Sequence, residues 1–271
     1  MSNNHAAFVG EIPTNYERYL GPLIFDTYAE DLANRINLAD DALLLETAAG
    51  TGLATRKIRD RLSTSVRIIA TDLNADMLSL AQSKFEADEN IEFQTADAQA
   101  LDYADASFDA IACQFSVMFF PDKPAALKEA ARVLKPGGQF CFNVWDSLEH
   151  NDFVRVANER VAALFSDAPP DFFNTPFGYF AIDEIKRLLG DTGFSDIDIA
   201  VLPRTSTAPG ARDVALGFVT GTPLRLQIES LAPERLMEVV DRVEEAIVQQ
   251  FGDGPVSAKM QAITFVAHRS V

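Results

Sequence analysis

Cysteine is scarce in this sequence, and acidic residues far outnumber basic ones. Cys113 and Cys141 are the only two cysteines, and each lies in an apolar run. We therefore expect two buried, reduced thiols rather than a disulfide or a metal site. Lysine and arginine number 23 against 40 aspartate and glutamate residues, a formal net charge of -17. Such a surface repels a phosphate backbone, so we expect no nucleic-acid partner.

The sequence also lacks a long hydrophobic run. No apolar stretch approaches the ~20 residues that a membrane-crossing helix needs. Residues 1 to 13 have no basic segment followed by an apolar one, the pattern of a secretory leader. We therefore expect no membrane insertion and a cytoplasmic protein, and the oligomeric state stays open.

Short apolar segments and helical patterns alternate in the first half of the chain. Helical spacing of apolar residues predicts helices over residues 51 to 62, 74 to 85 and 122 to 134, with Asn74 as the N-cap of the second. Such alternation indicates a parallel sheet covered by helices on both faces. The apolar segments suited to buried strands are residues 42 to 48, 66 to 72, 91 to 97, 108 to 115 and 138 to 145.

The alternation breaks after Trp145. Residues 146 to 180 contain several prolines and phenylalanines and resemble an insertion. Two further strands are predicted at residues 195 to 203 and 257 to 269, with a mostly helical segment between them. No repeat or low-complexity linker marks an independent second domain.

The stretch "ETAAGTG", residues 46 to 52, lies between the first strand and the first helix. Its small residues allow a close approach of a ligand to the backbone, and the following helix begins with free N–H groups. The nicotinamide version of this turn needs a third glycine at position 55, where this chain has Thr55. A dinucleotide is therefore disfavoured as the ligand.

The same stretch resembles the first motif of class I S-adenosylmethionine-dependent methyltransferases, including the ubiquinone-biosynthesis type. Three further segments are similar to this family in the same order: "IIATDLNADML", "TADAQALDYADASFDAI" and "RVLKPGGQFCF". Together the four motifs span residues 43 to 144, and their order makes the resemblance specific.

The resemblance implies an α/β fold: a Rossmann-like seven-stranded, mostly parallel sheet with helices on both faces and helical insertions forming a lid. A terminal antiparallel strand pair is part of that expectation. Residues 1 to 271 would form one methyltransferase domain, with an N-terminal helical flap at 1 to 41 and a cofactor-binding core at 42 to 145. The lid would comprise residues 146 to 180 and 204 to 255.

The implied cofactor is S-adenosyl-L-methionine, and no metal is expected. Asp72 would accept the ribose hydroxyls, although it could instead only cap the next helix. Asp97 and the Ala98 N–H would contact the adenine edge, and Gln114 and Phe115 the methionine half. The full set implied to hold the cofactor is Tyr19, Glu46, Ala48, Gly50, Gly52, Asp72, Leu73, Met77, Asp97, Ala98, Gln114 and Phe115.

The expected reaction is methyl transfer to a small-molecule acceptor by in-line displacement. A sulfonium methyl is already electrophilic, so no dedicated base is required. For a phenol or amine acceptor, His150 and Asp146 are the candidate bases. Phe177, Tyr179 and Arg225 are the candidate acceptor contacts, although each could serve packing or surface pairing alone.

The residues do not distinguish O-, N- and C-methylation. Two other functions also stay open on the sequence: a non-catalytic module that binds S-adenosylmethionine or S-adenosylhomocysteine, and a nicotinamide-dependent oxidoreductase.

Overall fold

The structure, a computed structural model, describes residues 6 to 271, and the chain divides into two compact units. The core unit comprises residues 27 to 145, 180 to 201 and 263 to 271. The helical unit comprises residues 6 to 26, 146 to 179 and 202 to 262. The helical unit thus collects part of the predicted flap and most of both predicted insertions. The organisation as one domain stays a prediction.

Seven strands form one sheet in the order β3-β2-β1-β4-β5-β7-β6. Strand β1 pairs in parallel with β2 on one side and β4 on the other, and the pairs β2-β3 and β4-β5 are also parallel. The predicted seven-stranded, mostly parallel sheet is therefore confirmed. The strands are β1 Leu43–Thr47, β2 Arg67–Asp72, β3 Ile91–Thr95, β4 Phe108–Gln114, β5 Leu134–Trp145, β6 Phe194–Ala208 and β7 Val256–Arg269.

The strand order reverses between β1 and β4. From β1 the chain continues outward to β2 and β3, and it then returns to place β4 on the other side of β1. In open α/β sheets, ligands bind outside the carboxyl ends of the strands at such a point. The turns after Thr47 and Gln114 lie there.

Ten α-helices lie within residues 6 to 271: α1 Ile12–Asn15, α2 Asp26–Arg35, α3 Leu53–Arg61, α4 Ala75–Gln82, α5 Lys123–Val133, α6 Asp152–Leu164, α7 Ile182–Asp191, α8 Ala211–Thr220, α9 Leu224–Leu231 and α10 Leu236–Phe251. A π-helix, Tyr16–Phe25, connects α1 to α2. The 3-10 turns are Val117–Phe119, Leu148–His150, Phe172–Asn174 and Pro233–Arg235.

Several predicted element boundaries were wrong, among them the start of α3, the start of β5 and the end of β6. Helix α3 begins at Leu53 rather than at residue 51, because Gly52 at its N-cap has a φ of +79°. Strand β5 begins at Leu134 rather than at residue 138, so "KPGG" lies inside the strand. Asn74 does precede α4, but its side chain makes no capping hydrogen bond. It donates instead to Asp72.

One buried cluster fills the space between the core unit's sheet and the helices on one of its faces. Leu32 on α2 and Ile58 on α3 pack with Leu44, Ile68 and other apolar side chains of the strands. This packing follows from the helical spacing of apolar residues on α2 and α3. It leaves the carboxyl ends of the strands to the loops.

The two cysteines are free and buried, as predicted. Burial raises the pKa of both thiols to about 12, which keeps them protonated. Within residues 6 to 271, no group of histidine, cysteine and acidic side chains could hold a metal ion. Over the same range, no helix has the length and apolar character needed to cross a membrane.

The helical unit is held together by apolar contacts among its own helices. Phe153 on α6 meets Phe251 on α10 with ring centroids 4.9 Å apart, and Phe173 meets Phe218 on α8 at 6.0 Å. A Cβ on Gly217 would lie 2.9 Å from Leu20 Cδ2, so α8 approaches the π-helix closely. The predicted helical patterns in these segments are thus confirmed as helices.

Candidate functional site

The glycine loop between β1 and α3 is built from left-handed backbone. Ala48, Gly50 and Gly52 have φ values of +54°, +58° and +79°. A Cβ on Gly52 would lie 3.0 Å from the Cβ of Ala81 on α4, so the loop needs glycine there for space as well as for conformation. The loop leads directly into α3, and the free N–H groups at the N-terminus of this helix favour a polar or anionic ligand atom.

Asp72 ties this loop to the end of β2. The Gly50 N–H donates to Asp72 Oδ2 at 2.8 Å, and the Asn74 N–H donates to Oδ1 at 2.7 Å. Burial raises the pKa of the Asp72 carboxyl, and the hydrogen bonds from Asn74 and Gly50 lower it in part. Oδ1 also accepts from the Asn74 side chain, but Oδ2 has a second lone pair, so the group keeps acceptor capacity for a hydroxyl donor. Capping and ligand binding by Asp72 are therefore compatible.

Glu46 lies in β1 just before the loop and is 1% exposed. Its Oε2 atom has no hydrogen-bond partner anywhere in residues 6 to 271. Burial raises the pKa of this carboxyl to about 8, a nearby Thr55 hydroxyl lowers it in part, and the Asp72 charge raises it. A buried carboxyl of this kind favours its protonated form at neutral pH, and a cation bound beside it would favour the ionised form instead.

The predicted adenine contacts lie at the ends of β2 and β3. Leu73 is 61% exposed, which is unusual for a leucine directly after a buried strand. Met77 is buried on α4 beneath the loop, its methyl carbon 3.5 Å from where a Gly50 Cβ would stand. Asp97 Oδ1 accepts the Gln99 N–H at 2.9 Å, and Ala98 beside it is half-buried. Their contact with adenine stays a prediction.

At the end of β4, Gln114 is followed by Phe115 in the left-handed region, with a φ of +48°. The Phe115 ring stacks on Trp145 at a centroid distance of 3.8 Å and an interplanar angle of 6°. Its N–H donates to Asn143 Oδ1 at 3.0 Å. Left-handed backbone costs a non-glycine residue roughly 1–2 kcal/mol. Ala48 follows β1 and Phe115 follows β4, the two strands between which the strand order reverses. Both residues therefore have a strained backbone.

The remaining predicted residues belong to the helical unit. Tyr19 is half-buried in the π-helix, with the Arg18 guanidinium 5.0 Å from its ring centroid. Phe177 is buried near Phe173, and Tyr179 is half-buried. Arg225 pairs with Glu229 at 2.8 Å and with Glu11 at 2.9 Å. The sequence left two roles open for Arg225, acceptor binding and surface pairing, and these ion pairs correspond to the second.

The two candidate bases lie at a turn of the helical unit, where they make hydrogen bonds to neighbouring groups. Asp146 Oδ1 accepts the Ser147 N–H at 2.7 Å, and Oδ2 accepts from the Gln261 side chain at 2.6 Å. His150 ends a 3-10 turn with Nδ1 at 3.1 Å from Lys259 Nζ. A catalytic role for either residue stays a prediction.

Ala48→Gly should stabilise the protein by about 1 kcal/mol, because glycine reaches a φ of +54° without the Cβ clash. The gain is measured by urea unfolding. Ala49→Gly is the matched control: Ala49 is not left-handed, so glycine there should destabilise. Equal effects of the two substitutions would contradict the assignment of strain to Ala48.

Sequence reasoning missed Asn143 and Thr51. Asn143 is the single amide in the apolar run "FCFNVW" of β5, and that interruption is the signal that could have marked it. It is fully buried, and its Nδ2 has no partner within the described residues. Thr51, inside the glycine loop, is 1% exposed with an Oγ1 that has no partner in residues 6 to 271.

The residues at this edge fit S-adenosylmethionine. Glu46 Oε2 and Thr51 Oγ1 are buried polar atoms without partners, and such atoms commonly await a ligand or water. The positively charged ammonium and sulfonium groups of the cofactor suit a site with Glu46 and Asp72 on neighbouring strands. Left-handed backbone at Gly50 and Gly52 would allow a close approach of such a ligand to the main chain.

A model of a methyltransferase domain matches residues 45 to 142 of the chain. The ubiquinone/menaquinone biosynthesis C-methyltransferase of Geotalea daltonii is 35% identical over 175 residues, which cover 60% of this chain and 74% of that protein. The chain spans between 39% and 74% of the lengths of several curated relatives.

Solved structures show the same fold at low sequence identity. The YcgJ protein of Bacillus subtilis has a TM-score of 0.61 and 20% identity, over 90% of this chain and 99% of that one. A Haemonchus contortus phosphoethanolamine N-methyltransferase 2 in complex with S-adenosyl-L-methionine has a TM-score of 0.62 and 16% identity. That alignment covers 100% of this chain and 60% of the other.

The four ordered sequence motifs, the sheet order and the relatives agree, and they decide against a nicotinamide cofactor. The chain belongs to the class I S-adenosylmethionine-dependent methyltransferases, of the ubiquinone-biosynthesis type.

Proposed function

We propose that this chain transfers a methyl group from S-adenosylmethionine to a small-molecule acceptor by in-line displacement. One observation carries the proposal: the Gly50 N–H of the glycine loop donates to the Asp72 carboxylate, next to the point where the strand order reverses. The cofactor supplies an electrophilic methyl group on a sulfonium. The residues proposed to hold it are those at the carboxyl ends of β1 to β4, with Asp72 at the ribose and Glu46 near the amino acid end.

Methyl transfer then requires the chain to hold a nucleophile close, aligned and shielded from water. We propose that acceptor selection is carried by the helical insertions, which we infer to act as a lid, with Phe177, Tyr179 and Arg225 as candidates. Loops and insertions carry specificity in folds whose sheet is committed to a shared cofactor. The first acceptor class to test is a quinone precursor, because relatives are named for quinone biosynthesis.

Asp72→Ala should weaken S-adenosylmethionine binding by more than ~1.4 kcal/mol, because charge-assisted hydrogen bonds to the ribose are lost. Isothermal titration calorimetry measures the change. Asp76→Ala removes an exposed carboxylate from the first turn of α4 and is the matched control, expected to bind as the unsubstituted protein does. Asp72→Asn keeps an oxygen that can accept the Gly50 N–H but removes the negative charge. It therefore tests whether loss of this loop contact alone explains the weaker binding. Unchanged binding by Asp72→Ala would refute the ribose assignment.

The reaction itself is tested by transfer of a labelled methyl group to quinone precursors, phenols, amines and carboxylates. Methylation of a small molecule supports the proposal. Tight cofactor binding without transfer to any of these classes would favour a non-catalytic binding module instead.

Once an acceptor is known, Tyr179→Phe should lower kcat/KM about tenfold while the cofactor Kd stays constant, since only a hydroxyl is removed. Tyr103→Phe is the control, because that hydroxyl donates to Gln94 in the core unit. Parallel losses in kcat/KM and in cofactor affinity would mean that Tyr179 supports the fold and not the acceptor.

A further inference from the structure

The turn after β4 holds an aromatic residue in a conformation that it rarely adopts. Phe115 has a φ of +48°, and its ring is buried between Trp145 and Tyr28. Left-handed backbone at a bulky residue persists only where the surroundings enforce it. Stacking with Trp145 holds the ring, but the backbone needs a separate restraint.

Asn143 provides that restraint. In the parallel register of β4 and β5, Asn143 lies opposite Gln114, one residue before the turn. Its Oδ1 accepts the Phe115 N–H at 3.0 Å, and this bond fixes the orientation of the side-chain amide. A continued parallel ladder would give this N–H a main-chain acceptor, but here a side chain takes that place.

Holding this bond has a cost that an apolar residue would avoid. Asn143 is fully buried, and its Nδ2 group has no hydrogen-bond partner in residues 6 to 271. A buried amide with an unused donor is unfavourable for stability alone. The acceptor oxygen is therefore the feature that explains an asparagine in the middle of β5.

We propose that Asn143 is a positioning residue for methyl transfer: by accepting the Phe115 N–H, it fixes the turn after β4 and so directs the Gln114 carbonyl toward the cofactor. This inference rests on the proposed function, in which the end of β4 meets the methionine half of S-adenosylmethionine. Asn143 acts through the backbone and itself touches neither cofactor nor acceptor. The Ser116 hydroxyl, which donates to the Gln114 carbonyl at 3.2 Å, adds a second restraint to the same turn.

The test compares two substitutions that differ in the acceptor oxygen. Asn143→Leu removes the oxygen and the unpaired donor, whereas Asn143→Asp keeps an oxygen that can accept the Phe115 N–H. We expect Asn143→Leu to raise the Kd and the KM for S-adenosylmethionine about tenfold or more, because a small misplacement of a binding group is costly. Asn143→Asp should stay within about threefold.

Thr264→Val is the matched control. Thr264 is a second fully buried polar residue of the core unit, and its Oγ1 has no partner in the described part of the chain. Its replacement should leave the Kd and KM unchanged. A purely structural role for Asn143 would instead lower the melting temperature of both Asn143 variants without separating their cofactor affinities.

Amide hydrogen exchange on the unsubstituted protein gives a measurement that does not depend on a variant folding. The Phe115 amide should exchange far more slowly than the exposed amides of other turns, with or without S-adenosylmethionine. Fast exchange at Phe115 would overturn the inference, as would Asn143→Leu binding within about twofold of the unsubstituted protein. Failure of the unsubstituted protein to bind S-adenosylmethionine would refute the proposed function, and with it the positioning role, even where exchange shows the bond to be present.

Discussion

At pH 8.5, Glu46→Gln should have a free energy of unfolding about 3 kcal/mol higher than the unsubstituted protein, whereas at pH 5 the two should be similar. The carboxyl of Glu46 is 1% exposed, and burial raises its pKa from an ordinary 4.5 to about 8. Glutamine keeps the shape of the side chain and has no proton to lose. Urea unfolding at several pH values measures the difference.

The direction follows from proton binding. Between pH 4.5 and about 8, the native protein keeps the Glu46 proton while the unfolded chain has lost it. The native state therefore binds more protons, and stability from this group falls as pH rises through that window, by up to about 1.4 kcal/mol per pH unit. The contribution is complete below the unfolded pKa and absent above the folded one.

The charged groups around Glu46 reinforce this direction. Asp72 on the neighbouring strand carries the same negative charge, and the pKa of Cys113 on β4 is itself raised, chiefly by burial, so that thiol contributes no charge near neutral pH. Asp76→Asn, at an exposed carboxylate, is the control and should leave the pH profile unchanged. Parallel profiles for Glu46→Gln and the unsubstituted protein would show that Glu46 is already ionised in the native state.

Replacement of Arg59 by methionine should destabilise the protein by about 3 kcal/mol or more. Arg59 is 4% exposed on α3, and its guanidinium donates to four main-chain carbonyls. Those carbonyls belong to Leu62, Ser63, Val66 and Glu89. Methionine fills a similar volume but leaves them without this donor, and the Val66 carbonyl among them is buried.

Arg59→Lys should not restore the lost stability, because a single ammonium group cannot reach all the carbonyls that the two ends of the planar guanidinium contact. Arg67→Met is the control: Arg67 pairs with Glu92 at the surface, and loss of such a pair should change stability little. Chemical unfolding of the three variants gives the comparison. Equal effects at Arg59 and Arg67 would mean that the carbonyl contacts contribute nothing beyond a surface ion pair.

Some features of the fold follow from local sequence alone. The strand β1, the glycine loop and helix α3 are predicted from the change of apolar spacing between residues 43 and 58 and from two glycines that need left-handed backbone. The strand ends were also placed within a few residues for β1 to β4, because buried strands and amphipathic helices have periods that a short window contains. The boundary of β5 was misplaced, because Leu134 already pairs with Phe108 and "KPGG" falls in an irregularity of the register before Gln139 pairs with Ala110.

The candidate site shows the same division. Asp72 was predicted from its position at the end of β2, but its bond to the Gly50 N–H joins residues 22 positions apart. Arg225 was proposed as an acceptor contact, yet besides Glu229 one turn along α9 it pairs with Glu11, 214 positions away. Local patterns locate side chains on elements and do not reveal such partners.

The sequence by itself determined the order of strands and helices, the glycine turn after β1 and the family, because these depend on short-range periodicity and on motif spacing. Only the tertiary structure decided which polar groups are buried and paired. The strained turns at Ala48 and Phe115 and the burial that raises the pKa of Glu46 depend on how β1, β2, β4 and β5 lie side by side. The Asn143–Phe115 bond spans 28 positions and exists only because two parallel strands bring its ends together.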